Sequence, residues 1–289
     1  MPFTVFTDGC SNLPGEIVRS LDIRLLPCSY TVDGEAATYT GDLDTFESHA
    51  YYNQLRSGCA IKTSLLNTHL FLTHFAPVLE QGEDIVYVGL SGGVSGTVQA
   101  ARIAAAELAE EYPERTVCVV DSLGAGLGTG ILTCRACDLR DEGMSAKETA
   151  AVLDDEKTRL CEYFTVDDLN FLKRTGRVSG ATALIGTMLN IKPLLYGDRE
   201  GHIVSCGKVR GRKKALEAIV EKYRAKVVDA GNSRVAISHG DVPEEAQELA
   251  NRICEIARPK ELIIAPHEPF TGAHVGPGML ALYFFGDSR

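Results

Sequence analysis

The sequence predicts an α/β protein with two domains: a parallel α/β/α N-terminal domain over residues 1–158 and a mixed-sheet α/β C-terminal domain over residues 159–289. Three observations favour this fold class. The 289 residues are about twice a typical domain length. In the first half, short β-branched runs alternate with helical patterns, which is typical of βαβ units. A highly charged stretch at 154–162 then precedes closely spaced strands, which favour a mixed sheet.

The N-terminal domain is built from strands predicted at 3–7, 23–32, 85–90 and 116–120, with helices at 95–111 and 125–141. The run at 85–90 is almost entirely apolar, as expected of a strand that is buried on both faces. Three of these strands end in a polar or small residue, namely Asp8, Ser91 and Asp121. Ligands bind at the carboxyl ends of the strands in open parallel sheets, so we expect a binding site there.

The C-terminal domain is predicted to contain strands at 163–166, 191–196, 203–209, 235–238, 262–265 and 280–285. Helices are predicted between them at 211–226 and 243–257. The short spacing of the strands leaves too little chain for a helical crossover after each one, which again predicts a mixed sheet.

Composition excludes several classes of protein. With 45% hydrophobic and 24% charged residues, the chain is neither disordered nor fibrous. A net charge of −10 argues against nucleic acid and anionic membrane surfaces as partners. The nine scattered cysteines suit a reducing compartment, and neither a signal peptide nor a membrane span is recognisable, so we expect a cytoplasmic protein. We also expect no metal and no cofactor, because Cys134 and Cys137 lack a second ligand pair and 201–208 departs from the Walker pattern.

The strongest local signal is the loop Ser91-Gly-Gly-Val-Ser95-Gly-Thr97, which joins a predicted strand to a predicted helix. Unpaired N–H groups at a helix start, beside small residues, favour an anion site. An ordinary turn with Ser95 or Thr97 as the N-cap is an equal alternative. The loop also nearly matches the G-x-S-x-G elbow, and Asp241 and His274 follow in hydrolase order, so a serine esterase or thioesterase using Ser95 and His274 is a rival hypothesis.

A second signal is the hydroxyl pair of Thr63 and Ser64, which follows Lys62. Two adjacent hydroxyls can donate to one carboxylate or phosphate. The alternative is that they cap a helix that starts near Asn67.

Two further candidates lie in turns. His274 precedes Val275-Gly276-Pro277-Gly278, and a rigid turn of this kind would aim the imidazole. Arg177 belongs to a basic turn over 172–179 in an otherwise acidic protein, so it could meet an anionic partner or simply be solvated.

Taken together, these stretches resemble the DegV family of fatty-acid-binding proteins over essentially the whole chain. The resemblance is carried by the order and spacing of segments at 7–14, 62–64, 90–97, 119–122, 169–179, 189–193, 207–210, 238–240 and 274–278. It implies a parallel α/β/α domain followed by a mixed-sheet α/β domain, with a lipid pocket between them.

The resemblance also implies a function. A long-chain fatty acid would be held by its carboxylate at Thr63, Ser95 and His274, with Ser64 beside Thr63 as a fourth fatty-acid-binding residue, and its tail would fill an apolar tunnel. The protein would have no catalytic residue. It would present the fatty acid to a separate ATP-dependent kinase that forms acyl phosphate for phospholipid metabolism, and Arg177 would lie on the surface that meets the kinase. A passive lipid carrier without a kinase partner is the remaining alternative.

This chain departs from the family pattern at several positions. Gly9 and Cys10 alter the usual Thr-Asp-Ser start, and Gly92 replaces a usual Ser. Leu65-Leu66 stands where Gln-Pro is common, and Val275 replaces the Thr after the His. The three named ligands are kept, so these changes bear on the identity of the acyl chain.

Overall fold

The computed structural model describes residues 3–178 and 190–289. In chain order the strands are β1 (Phe3–Asp8), β2 (Ile23–Leu26), β3 (Cys28–Val32), β4 (Glu35–Tyr39), β5 (Ile61–Ser64), β6 (Asp84–Gly89), β7 (Val117–Asp121), β8 (Leu160–Thr165), β9 (Ile191–Gly197), β10 (Ile203–Arg210), β11 (Arg234–His239), β12 (Glu261–Pro266) and β13 (Leu280–Phe285). The helices are α1 (Gly15–Ser20), α2 (Ser48–Arg56), α3 (Thr68–Glu80), α4 (Thr97–Glu111), α5 (Leu127–Asp141), α6 (Ala146–Glu156), α7 (Asn170–Thr175), α8 (Arg212–Lys226), α9 (Pro243–Ile256) and α10 (Pro269–Val275). Ser179 and Leu189 of the quoted motifs lie outside the described residues.

The first sheet is four-stranded and parallel, in the order β2-β1-β6-β7. Helices α3 and α4 cover one of its faces and α5 and α6 the other, which confirms the predicted α/β/α arrangement. The single strand predicted at 23–32 is wrong. It is divided at Pro27 into β2 and β3, which belong to different sheets, and proline has no backbone N–H to continue a ladder.

The second sheet is six-stranded and mixed, in the order β10-β9-β8-β13-β11-β12. Only β11 and β12 pair in parallel among these strands, so the predicted mixed sheet is confirmed. Helices α8 and α9 cover one face of it. Helix α5 packs on the opposite face as well as on the first sheet, which is why most residues of α5 are buried.

A third, three-stranded antiparallel sheet in the order β4-β3-β5 is not predicted by the sequence. Its strands are short, and most side chains of β4 are exposed, so no apolar alternation marks them. This small sheet carries Thr63 and packs against α10.

The predicted domain boundary between residues 158 and 159 falls within a 3-10 turn, Lys157–Arg159, that joins α6 to β8. The exact boundary stays a prediction. Within residues 3–178 and 190–289, no helix combines the length and the apolar character needed to span a bilayer.

Candidate functional site

A cavity of about 440 Å³ lies between the parallel sheet and the mixed sheet. Residues that follow β6 and residues of β8 and β13 both contribute to its wall, so both halves of the chain form it. Its lining is mainly apolar and includes Leu90, Phe164, Leu172, Ile203, Phe270 and Met279.

One wall of the cavity is formed by the side chains of β13 and β8 that point to one face of the mixed sheet. Ala281 and Tyr283 face the cavity, and their register partners on β8 are Phe164 and Glu162. Because successive side chains of a strand point to opposite faces, the residues between them pack against α8 and α9 instead.

Another wall comes from α10, which presents Phe270, Thr271, His274 and Val275 to the cavity. These positions lie on neighbouring turns of one helix face. The N-terminus of α10 is capped by Glu268, whose carboxylate accepts from the Thr271 N–H at 2.9 Å. His274 therefore lies in the last turn of a capped helix, rather than in the glycine turn that the sequence suggested.

Buried hydrogen bonds fix the start of α10 relative to the rest of the fold. Asn12 donates from Nδ2 to the Pro266 carbonyl at 3.1 Å and accepts the Glu268 N–H on Oδ1 at 2.6 Å. Tyr52 on α2 donates to the His267 carbonyl at 2.9 Å. The Asn of the 7–14 motif thus positions the helix that carries His274.

The glycine after α10 also has a structural reason. Gly276 has φ 74°, and a Cβ there would lie 2.5 Å from the Phe171 ring. Only glycine combines this left-handed backbone with so close an approach, so the chain can turn sharply from α10 into β13.

Thr63 and His274 meet at one end of the cavity, where Thr63 Oγ1 lies 2.9 Å from His274 Nε2. Burial, and after it the charges of Arg177 and Arg174, lowers the pKa of the His274 imidazole to about 4, so the ring is neutral at pH 7. Nδ1 is buried and has no hydrogen-bond partner among the described residues. An unpaired ring acceptor costs less here than an unpaired N–H, so we assign the proton to Nε2, which donates to Thr63. The Thr63 hydroxyl hydrogen is then free for a ligand.

Ser95 lines the same cavity from the loop before α4. Its Oγ lies 3.0 Å from Thr97 Oγ1 and accepts the Thr97 N–H at 3.3 Å. The N-cap of α4 is Gly96, which makes no side-chain cap bond, so neither Ser95 nor Thr97 holds the predicted N-cap position. Thr97 Oγ1 also accepts the Leu66 N–H at 3.4 Å, which ties this loop to the segment that carries Thr63.

The Ser95 loop is held against the turn between β9 and β10. Ser91 Oγ donates to the Gly201 carbonyl at 2.8 Å, and a Cβ at Gly93 would lie 2.6 Å from the Gly201 backbone. Gly92 approaches Asp121 just as closely, since its N–H donates to that carboxylate at 3.2 Å and a Cβ would lie 2.7 Å from Oδ2. Small residues are therefore required in this loop by packing.

Ser64, the fourth residue predicted to bind the fatty acid, is placed differently from Thr63. It is exposed on β5 and is not among the described residues that line the cavity, because adjacent residues of a strand face opposite sides. The alternative that this pair caps the next helix is wrong. Asn67 caps α3 itself, by accepting the Leu70 N–H at 3.0 Å.

Arg177 lies just after α7, where it is exposed and also lines the mouth of the cavity. Its guanidinium donates to the Thr175 carbonyl. Arg174 stacks over the Phe171 ring, 5.1 Å from its centre. The basic turn therefore adjoins the His274 end of the cavity, a position that the sequence, which suggested an anionic partner or solvent for Arg177, did not predict.

The Ser-Asp-His arrangement of the esterase hypothesis is not formed by the residues that suggested it. Asp241 lies 3.0 Å from His49 Nδ1 and accepts from Arg56 Nη1 at 2.5 Å. His274 is bonded instead to Thr63. The order of these residues along the chain therefore does not bring them into a triad.

One buried group of potential metal ligands occurs among the described residues: Asp8, Cys10 and Cys28, whose ligand atoms lie within 4.8 Å of one another. Asp8 is already bonded to the Tyr87 hydroxyl and the Cys10 N–H. Burial, followed by the neighbouring Cys28, raises the pKa of the Cys10 thiol well above its usual value.

Sequence reasoning missed the polar residues at the other end of the cavity, Glu162, His267 and Tyr283. Glu162 belongs to the charged stretch that was interpreted as a domain crossing, and a single His or Tyr in an apolar strand context carries no signal of its own. The pairing of β8 with β13 brings Glu162 beside Tyr283, and Ser238 on β11 links Tyr283 to His267.

The fold and the site define an α/β protein with a mainly apolar cavity that has polar side chains at each end. The chain belongs to the DegV family, whose model, described as "Uncharacterised protein, DegV family", matches residues 2–287. It is 36% identical over 288 residues to a DegV domain-containing protein of Clostridium perfringens, covering 99% of this chain and 98% of that protein. The family resemblance seen in the sequence is confirmed.

Two solved structures share the fold. One is a DegV family protein from Thermus thermophilus described as binding fatty acid, with a TM-score of 0.88 and 30% identity over 99% of this chain and 100% of that one. The other is a DegV lipid binding protein from Thermotoga maritima, with a TM-score of 0.87 and 26% identity over the full length of both chains.

Proposed function

We propose that this protein binds a long-chain fatty acid in the cavity between its sheets, with the carboxylate at Thr63, Ser95 and His274. The observation that carries the proposal is the cavity itself, which has a Thr63–His274 hydrogen bond at one end and apolar side chains along its walls. The fatty-acid and lipid binding described for the Thermus and Thermotoga relatives supports the same ligand class.

The energetics of such a complex are favourable without a charged residue directly on the carboxylate. The Thr63 and Ser95 hydroxyls can each donate a hydrogen bond to it, and the Arg177 and Arg174 charges lie nearby. At about 0.8 kcal/mol per methylene, a sixteen-carbon tail gains on the order of 11 kcal/mol before ordering costs. The apolar tail therefore provides most of the affinity, and the hydroxyls fix its orientation.

The fatty acid is then the substrate of a separate ATP-dependent kinase. A carboxylate oxygen attacks the γ-phosphorus of ATP, the bond to the β-phosphate oxygen breaks, and acyl phosphate and ADP are the products. The exposed guanidinium of Arg177 at the cavity mouth supports this role, since it adjoins the carboxylate site and can pair with a partner carboxylate or a phosphate. In this proposal the chain itself supplies no catalytic group.

The test is a binding titration of delipidated protein with octadecanoic acid and with its methyl ester. We expect the free acid to bind at least tenfold more tightly, because the ester lacks the anion that the hydroxyls recognise. Equal affinity for the two, or no binding of either, would overturn the proposal. A fluorophosphonate probe and a nitrophenyl acyl ester test the esterase alternative in parallel, and turnover that depends on Ser95 and His274 would refute a non-catalytic role.

A further inference from the structure

The end of the cavity away from His274 is unexpectedly polar for a site that would receive the methyl end of a fatty acid. Glu162, His267 and Tyr283 all line it. The cavity-facing residues run from Met279, which precedes β13, along this strand to Tyr283. Four residues of a strand span about 13 Å, so these groups lie well along a bound acyl chain.

Tyr283 belongs to a continuous chain of buried hydrogen bonds. Its Oη lies 3.0 Å from Ser238 Oγ, which lies 2.9 Å from His267 Nδ1. His267 Nε2 in turn lies 2.8 Å from Thr271 Oγ1, and Thr271 bonds to the Glu268 carboxylate. Such a chain has a direction, which is set by the group at its end.

The direction follows from Glu268. Burial raises the pKa of Glu268 to about 7, so above that pH the carboxylate is ionised and has no hydrogen to donate; it then accepts the Thr271 hydroxyl as well as the two backbone N–H groups that it caps. Thr271 Oγ1 must then accept from His267 Nε2, and Nδ1 of this ring accepts the Ser238 hydroxyl.

Ser238 Oγ consequently accepts the Tyr283 hydroxyl hydrogen. The Tyr283 oxygen thus has its hydrogen committed to Ser238 and its lone pairs facing the cavity.

Glu162 lies beside Tyr283, because the two residues are register partners on β8 and β13, and above its raised pKa of about 7 its carboxylate is a second acceptor. Its Oε1 accepts the Ala125 N–H at 3.0 Å. Its Oε2 lies 3.6 Å from Arg289 Nη2, which is beyond hydrogen-bond distance. A methyl group placed here would leave the cavity-facing lone pairs of the Tyr283 oxygen without a donor and would lie against the Glu162 carboxylate, which is unfavourable.

We propose that this far end binds a hydroxyl group carried on the acyl chain, so that the preferred ligand is a hydroxylated long-chain fatty acid. A hydroxyl can donate to Tyr283 Oη or to Glu162, so it supplies the hydrogen-bond donor that an unsubstituted acyl chain lacks. An oxo group can only accept a hydrogen bond, and the Tyr283 hydroxyl hydrogen is already donated to Ser238. The proposal rests on the proposed function, which fixes the carboxylate at Thr63 and His274.

The test is made at pH 8.5, where Glu162 and Glu268 are ionised, and compares four ligands on the delipidated full chain: octadecanoic acid and its 10-hydroxy, 10-oxo and 2-hydroxy derivatives. We expect the 10-hydroxy acid to bind about tenfold more tightly than octadecanoic acid. The 2-hydroxy acid should show no such gain, because its hydroxyl stays beside the carboxylate. If octadecanoic acid binds but the 10-hydroxy acid gains nothing over it, this inference fails and the proposed function stands. If no acid binds, both fail.

Two variants test the assigned direction of the hydrogen bonds. Tyr283→Phe should lower the preference for the 10-hydroxy acid to about twofold, whereas Tyr196→Phe on β9, which lies outside the cavity lining, should keep it. Ser238→Ala should free the Tyr283 hydrogen and raise the affinity for the 10-oxo acid relative to octadecanoic acid. An unchanged preference in Tyr283→Phe, or no gain for the oxo acid in Ser238→Ala, would overturn the assignment.

Discussion

At the scale of single residues, Thr63, Ser95 and His274 come from three separate segments and meet at one cavity. Each is placed by a local cause: the alternation of β5, the close packing of the glycine loop, and the capped helix α10. Ser64 has the same hydroxyl group as Ser95, but it follows Thr63 on β5 and points to the opposite side of the strand, away from the cavity. Its substitution therefore serves as a control.

Replacing Ser95 by Ala should weaken fatty-acid binding, because one of the few donors to the carboxylate is lost. The expected cost is about 1–3 kcal/mol, which corresponds to roughly a five- to 150-fold rise in Kd. Ser64→Ala is the matched control and should leave Kd unchanged. Equal effects of the two substitutions would show that Ser95 does not contact the carboxylate.

Arg177→Ala should reduce acyl-phosphate formation with the kinase by about tenfold, with a larger effect at low salt than at high salt, because the wild-type pairing is itself screened. Fatty-acid occupancy should fall by no more than about threefold, since the hydroxyls and the tail supply most of the affinity. Arg102→Ala, an exposed position on α4 outside the cavity lining, is the control. If Arg177→Ala loses its lipid but the fraction that still holds lipid reacts with the kinase at the normal rate, Arg177 acts in lipid binding and not on the kinase surface.

At the scale of elements, the site depends on contacts that join loops across the two sheets. The sequence predicted the buried strands of both sheets, because long apolar runs mark them clearly. It missed β4 and β5 because these strands are short and partly exposed, and it missed α10 because seven residues are too few to show a helical period. Thr63 and His274 were nevertheless identified, from motifs rather than from elements.

Gly93→Ala tests the contact between the Ser95 loop and the β9–β10 turn. The added methyl would lie 2.6 Å from backbone atoms of Gly201, so the loop must shift and Ser95 must move with it. We expect fatty-acid affinity to fall at least tenfold. Gly207→Ala, where nothing lies within 4 Å of the added methyl, should bind normally. Normal binding by Gly93→Ala in a thermally stable protein would contradict this account of the loop.

At the scale of the whole molecule, α5 packs against both sheets, and the cavity lies beside it with polar groups at each end. The far end could not be predicted, because Glu162 and Tyr283 become neighbours only through the pairing of β8 with β13. This arrangement also makes stability depend on pH. Burial raises the pKa of Glu162 to about 7, against the effects of Arg289 and the Ala125 N–H.

Because the native pKa of Glu162 is raised above its unfolded value of 4.5, the native state binds more protons between these two values. The stabilising contribution is fully present below pH 4.5 and is lost as the pH rises through 7. Glu162→Gln removes this titration. From pH 5 to pH 8, the free energy of unfolding of wild type should therefore fall by on the order of 2 kcal/mol relative to the variant. If the free energies of unfolding of wild type and Glu162→Gln differ by the same amount at pH 5 and at pH 8, Glu162 ionises with an ordinary pKa and this prediction is wrong.

The most direct test of the central claim is native mass spectrometry of the purified protein, followed by solvent extraction and identification of what is released. The account predicts an adduct whose extracted mass is that of a free long-chain fatty acid, reduced in Ser95→Ala and retained in Ser64→Ala. A protein that carries no fatty acid, and that does not take one up when octadecanoic acid is supplied, would contradict it.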